Sequence, residues 1–175
     1  MTFGIHVGSG RLPLFAYGSN LWPARLRARV PSAEYVSPAR LLGHDLRFHK
    51  SGRDGSGKAD AFRTGSPEDL VWGALFTLDP AEKPYLDAAE GPGYREVQVQ
   101  VLLKTGRRLR ARMYQARPAW REPEAVPYHW YRAYVLAGAR HHGFSEAYLR
   151  RIRAVGVRED LDAERARLNR RALGG

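Results

Sequence analysis

Two short segments of this sequence carry residue types that could do chemistry unaided. The first is Tyr17-Gly18-Ser19-Asn20-Leu21, a run of turn formers directly after the apolar stretch Leu12 to Ala16. Gly18 allows the backbone to come close to a ligand. The N–H groups of Ser19, Asn20 and Leu21, at the start of a following helix, would face an anion or a developing oxyanion. The second is Leu86-Asp87-Ala88-Ala89-Glu90-Gly91-Pro92-Gly93-Tyr94, where Glu90 reads as the last residue of a helix. The helix dipole disfavours a carboxylate at that end, so some other interaction must hold it there. The plainer alternative is a solvated charge at a loop edge.

Other reactive residues do not assemble. Gly52 to Ala59 reads G-R-D-G-S-G-K-A, one residue short of a phosphate-binding loop. Ala59 lacks the hydroxyl that would ligate Mg²⁺, and Gly65-Ser66-Pro67 follows too soon for a helix to offer its N-terminus to phosphate. A flexible hairpin loop is expected there. Ser19 stands at a strand-to-helix turn, as a nucleophilic serine would. However, Tyr17 and Leu21 occupy the positions where the G-x-S-x-G elbow needs glycine. His141 and His142 are adjacent and point apart on a helix. His44 and His49 lack helical metal spacing, and no H-E-x-x-H occurs. Surface or helix-end histidines and no metal site are expected. The chain has no cysteine, which excludes disulfides, a thiolate nucleophile and cysteine-based metal sites.

The elements that must position these residues read as follows. Leu12 to Ala16 is a strand, and Leu21 to Val30 a helix with Pro23 in its first turn. Ala39 to Lys50 is strand-like, the Gly-rich 51–58 segment connects, and Ala59 to Arg63 returns as a partner strand. Leu70 to Leu78 is a buried strand. Asp79 and Pro80 then start a helix to about Ala89, with Pro84 disturbing its first turns. Tyr94 to Leu103 alternates Val97, Val99 and Val101 with Glu96, Gln98 and Gln100, the pattern of a half-buried strand. Thr105-Gly106 turns into the returning strand Arg108 to Tyr114. Pro127 opens a helix to about His142, closed by Gly143. Ser145 caps a short helix to about Ala154, and Asp160 opens a last one to about Leu173. The order implies an α+β fold with a mixed or antiparallel sheet packed on one side.

A chain of 175 residues suits a single domain, residues 1–175, with a charged helical tail from about 159. The first ten residues lack the charged region and apolar stretch of a signal peptide, and no apolar run is long enough to span a bilayer. Neither membrane association nor an address other than the cytoplasm is expected. The net charge of +11 points toward a polyanionic partner such as RNA. Yet the arginines are scattered and interleaved with 18 acidic residues, so nucleic acid is not the expected partner, and a non-catalytic basic module binding RNA is the alternative.

Taken together, F-A-Y-G-S-N-L followed by L-D-x-x-E-G and then Tyr resembles the γ-glutamylcyclotransferase family. Val71-Trp72-Gly73, the Val97/Val99 strand, Tyr131, Gly138-Ala139, Gly143 and Tyr148 extend the resemblance over roughly Leu12 to Ala154. It implies a small mixed β-barrel with helices packed outside, and conversion of a γ-glutamyl amino acid, or a γ-glutamylamine as the alternative, to 5-oxoproline. The substrate is a small γ-glutamyl molecule and supplies its own α-amino nucleophile, so orientation replaces a cofactor; neither cofactor nor metal is implied, and a homodimer is left open. By the same resemblance Glu90 is the acid/base, the Gly18–Leu21 loop with Tyr17 binds the γ-glutamyl group, and Tyr94 and Tyr131 line the pocket. A free Glu has a pKa of about 4.3 against about 8 for an α-amino group. Partial burial near Tyr17 and Tyr94 would bring them closer.

Overall fold

The computed structural model describes residue 8 and residues 10–174; most of the segment read above for a signal peptide lies outside them. Strands β1 (Leu12–Ala16), β2 (Glu34–Leu42), β5 (Leu70–Leu78), β6 (Tyr94–Leu103) and β7 (Arg108–Ala116) close into a barrel in the order β1-β5-β2-β6-β7. All neighbours are antiparallel except β1 and β7, which meet in parallel at Leu14 and Arg112. This is the mixed barrel implied above. Strands β3 (His44–Ser51) and β4 (Gly57–Arg63) form a separate two-stranded sheet.

The Ala39 to Lys50 segment is not one strand. Gly43, with φ +71°, turns the chain between β2 and β3, a conformation that costs glycine little and other residues more. The alternating strand β6 has the bounds read from its pattern, because its partner β7 pairs along its whole length.

Helices α1 (Pro23–Arg29), α2 (Lys83–Glu90), α3 (His129–His141), α4 (Glu146–Arg153) and α5 (Ala163–Ala172) pack outside. Phe15, Leu75, Phe76 and Met113 from the strands share one buried cluster with Leu21, Leu26, Tyr134 and Ile152 from the loop and helices. Asp79 caps a 3₁₀ turn that leads into α2, with Pro84 in the first turn of the helix proper. No helix among the described residues is long and apolar enough to cross a membrane.

The charged tail is anchored. Its cap is Asp162, not Asp160, which instead turns inward. The Asp160 side chain is fully buried, ion-paired with Arg165 and accepting from Trp130 Nε1 at 2.8 Å. Arg165 first, then Trp130 and the Asp162 N–H, hold the Asp160 carboxyl down at about 2. An unfolded Asp titrates near 4. The folded state therefore binds fewer protons between those values, so this contribution to stability is complete above about pH 4 and is lost as the pH falls through about 2. Melting temperatures should show it directly: the gap between wild type and Asp160→Asn narrows as pH drops across that window.

Candidate active site

The loop after β1 is a single 3₁₀ turn, Ser19–Leu21. Its Leu21 N–H donates to the Gly18 carbonyl at 3.0 Å, so the leading donors of the turn are the N–H groups of Ser19 and Asn20. Leu21 is fully buried, and its carbonyl lies 2.8 Å from His142 Nε2. It anchors the turn and is not among the residues that line the cleft. Where Gly18 would carry a Cβ, the Ala59 Cβ stands at 3.0 Å and the Tyr131 hydroxyl at 3.5 Å. The glycine therefore makes room for Ala59 and Tyr131.

Glu90 ends α2, and Gly91 (φ +74°) turns the chain away. The interaction that holds the carboxylate comes from the loop across the cleft. Glu90 Oε1 accepts from Asn20 Nδ2 at 2.8 Å and from Arg29 Nη1 at 3.1 Å, and the same Arg29 nitrogen reaches Asn20 Oδ1 at 2.8 Å. The side chain is only 13% exposed. Oε2 has no protein donor among the described residues. The sequence reading placed tyrosines around Glu90 and no cation; Arg29 was missed because arginines are too frequent in this chain for any one to stand out.

The tyrosines act on the backbone as well as the cleft. Tyr131 accepts from the Ala59 N–H at 3.0 Å, and Tyr94 donates to the Ala59 carbonyl at 2.6 Å. Together they clamp both backbone polar groups of one residue of β4. Tyr17 donates to the Tyr114 carbonyl. Burial raises all three phenols above their ordinary value, keeping them neutral donors at neutral pH.

The cleft has a volume of about 230 Å³, and Ser19, Glu90, Tyr94 and Tyr131 also line a smaller recess of about 40 Å³ reaching Tyr17 and Gly18. Tyr131 thus joins the site from α3. Ser19 is buried and its Oγ accepts from Arg25 Nε at 3.1 Å, and no histidine among the described residues lines the cleft beside it to take its proton. The outer wall was not expected. The 52–56 loop is ordered by Asp54, which accepts from the Ser56 N–H, the Ser56 hydroxyl and Lys58 Nζ. Its residues Arg53 and Asp54 line the cleft together with Lys50, Lys58, Trp120 and Trp130. Lys58, mostly buried against the Trp130 and Tyr131 rings, is pushed down to about 8 by that burial despite Asp54. The expected flexible connection is thus a structured wall, and its G-x-G-K pattern was the available signal.

His142 stands at the end of α3, as expected, but is buried, whereas His49 differs from expectation: it holds the fully buried Asp60 at 2.8 Å beside Arg121. No group of His, Asp or Glu among the described residues could hold a metal ion.

With this geometry in view, the comparisons with known proteins are specific. The AIG2-like family model matches residues 70–152. The chain is 30% identical to the γ-glutamylcyclotransferase of Mus musculus over 153 residues, covering 83% of this chain and 79% of the mouse protein. Identity to the Homo sapiens γ-glutamylcyclotransferase is 31% over 149 residues, covering 81% and 77%. A solved γ-glutamyl cyclotransferase superposes with a TM-score of 0.80 at 26% identity, over 92% of this chain and 99% of that one. A yeast γ-glutamyl cyclotransferase specific to glutathione, at 16% identity and a TM-score of 0.62, shares the fold.

Proposed function

We propose, because this chain belongs to the γ-glutamylcyclotransferase family and is an enzyme of that class, that Glu90 is its acid/base and 5-oxoproline its product. One observation carries the assignment: Glu90 faces the Ser19–Leu21 turn across one cleft, tied to it through Asn20.

The reaction needs little from the protein. The α-amino nitrogen of the γ-glutamyl substrate attacks its own γ-carbonyl carbon. A carbon–nitrogen bond forms, the five-membered lactam closes, and the bond to the leaving nitrogen breaks. The attacking ammonium gives up two protons overall and the leaving amine gains two, so no acid or base is consumed. Glu90 takes the first proton through Oε2, its oxygen without a protein donor, and passes it on. The Ser19 and Asn20 N–H groups meet the charge that develops on the carbonyl oxygen. Holding the chain folded on itself supplies the rest, and the recess beside Tyr17 and Gly18 suits the compact γ-glutamyl end. A γ-glutamylamine fits the same scheme, but the cationic outer wall favours a leaving group with a carboxylate.

Ser19 tests the mechanism against its nearest rival. Ser19→Ala loses one hydrogen bond from Arg25, so kcat/KM on a γ-glutamyl amino acid should fall by about 2- to 10-fold. No covalent adduct should appear by mass spectrometry during turnover. A nearly dead variant together with a trapped acyl-enzyme on Ser19 would replace this mechanism with a nucleophilic serine.

A further inference from the structure

The two glycines after Glu90 make room for cations. At Gly91 an added Cβ would stand 2.9 Å from Arg53 Nη2, and at Gly93 it would stand 2.6 Å from Lys50 Cε and 2.9 Å from its Nζ. Lys50 and Arg53 therefore lie over the turn that leaves Glu90, on the outer wall of the same cleft.

Lys50 is an unusual cation. It is only 4% exposed. Its ammonium lies 4.7 Å from the Tyr94 ring centre and 5.3 Å from that of Trp120, and it has no hydrogen bond or ion pair among the described residues. A buried charge without a counter-ion is costly, and the aromatic faces offset only part of that cost. Burial lowers the Lys50 pKa, the Glu90 and Asp54 charges offset only part of that, and the Arg53 charge adds to it. Arg53 is exposed and likewise has no carboxylate partner. The carboxylates of the cleft are already engaged, Glu90 by Arg29 and Asp54 by Lys58. Arg25, which also lines the cleft, has no carboxylate partner among the described residues and meets Ser19, Asn169 and the Tyr134 ring.

A γ-glutamyl group cannot neutralise this excess. Its α-ammonium and α-carboxylate cancel, so the compensating charge must ride on the other half of the substrate. Resting on the cyclotransferase reading above, we infer that Lys50 and Arg53 select a leaving amine that carries two carboxylates, an acidic amino acid rather than a neutral one. One carboxylate meets the buried ammonium and the other the exposed guanidinium, which also relieves the repulsion between those cations.

The test uses γ-glutamyl-glutamate and γ-glutamyl-glutamine, which share a shape and differ by one charge, with γ-glutamyl-alanine as reference. Wild-type kcat/KM should favour γ-glutamyl-glutamate by about tenfold or more, the worth of one charge-assisted hydrogen bond. In Lys50→Met that preference should fall toward unity, and Lys50→Arg should restore part of it. Equal or better turnover of γ-glutamyl-glutamine by the wild type, which needs no variant, would overturn the inference. So would an undiminished preference in a folded Lys50→Met protein. Turnover of the alanine compound alone would overturn the inference while leaving the cyclotransferase reading intact. Release of 5-oxoproline from none of the three would count against both.

Discussion

Glu90→Gln should lower kcat/KM on the best γ-glutamyl substrate by about 10²- to 10⁴-fold, the usual worth of a general acid–base group, with the melting temperature little changed. The substitution is nearly isosteric. A glutamine Oε1 can still accept from Asn20 and Arg29, the contacts that tie α2 to the 3₁₀ turn, so the cleft keeps its shape. What disappears is a site that takes up and returns a proton at neutral pH. Arg29 loses its counter-charge but is 22% exposed and keeps Asn20, so solvent limits the structural cost. Measured side by side, 5-oxoproline release and thermal melting separate the roles. A variant with wild-type kcat/KM would remove Glu90 from the chemistry.

Gly138→Ala should be the more damaging change to the molecule as a whole, although Gly138 does not line the cleft. Helix propensity alone argues the other way, since alanine is better than glycine inside a helix by about 1 kcal/mol. Packing decides the sign. A Cβ on Gly138 would stand 2.3 Å from the Leu21 Cβ, 2.6 Å from the Leu21 carbonyl carbon and 2.8 Å from the Trp22 nitrogen. Two of those atoms are backbone and cannot rotate away, so α3 must separate from the turn. Overpacking of this kind typically costs about 1–3 kcal/mol and occasionally more, which outweighs the propensity gain. A net loss of about 1 kcal/mol lowers the melting temperature of a chain this size by roughly 2–4 °C. Because the displaced backbone is the turn that carries Ser19 and Asn20, kcat/KM should fall as well. Calorimetry and kinetics on one preparation test both; a variant as stable and active as wild type would show that the contact relaxes freely.

How much of this was legible in the sequence depended on the range of the interaction that fixes each feature. Strand β6 was readable because its side-chain alternation is a local consequence of the pleat. The turn at Gly43 was not, because the glycine sits within a run that looks continuously strand-like and only the change of sheet reveals it. Glu90 and the Tyr17–Leu21 segment were readable as a pair through a family resemblance, and neither was compelling alone. The Asn20–Arg29–Glu90 arrangement spans 70 positions from Asn20 to Glu90, and no spacing rule reaches that far. The cleft's cationic wall was half visible: its G-S-G-K pattern drew attention as a phosphate loop, and the physical grounds for setting that aside left the residues without a role. The inward side chain of Leu21 was not legible either, because loop membership does not tell which residues of a turn face outward. The fate of Asp160 was also beyond local reading, since an acidic residue shortly before a helix looks like a cap until its partner Trp130 is known.

The division of the sheet has a consequence for how such a protein diversifies. Glu90 and the turn opposite it are mounted on a barrel whose strands close on one another, whereas Lys50, Arg53, Asp54 and Lys58 belong to the β3–β4 ribbon or its loop. The ribbon is held at Ala59 by Tyr94 and Tyr131, at its tip by Tyr128 and Arg158, and to β7 through Asp60 and Gln115. Its tip can be lengthened, shortened or recharged without breaking a barrel hydrogen bond. On the proposed reading, the tip is a separable cassette for the leaving group, and transplanting residues 50–58 between relatives is the direct route to re-targeting the enzyme.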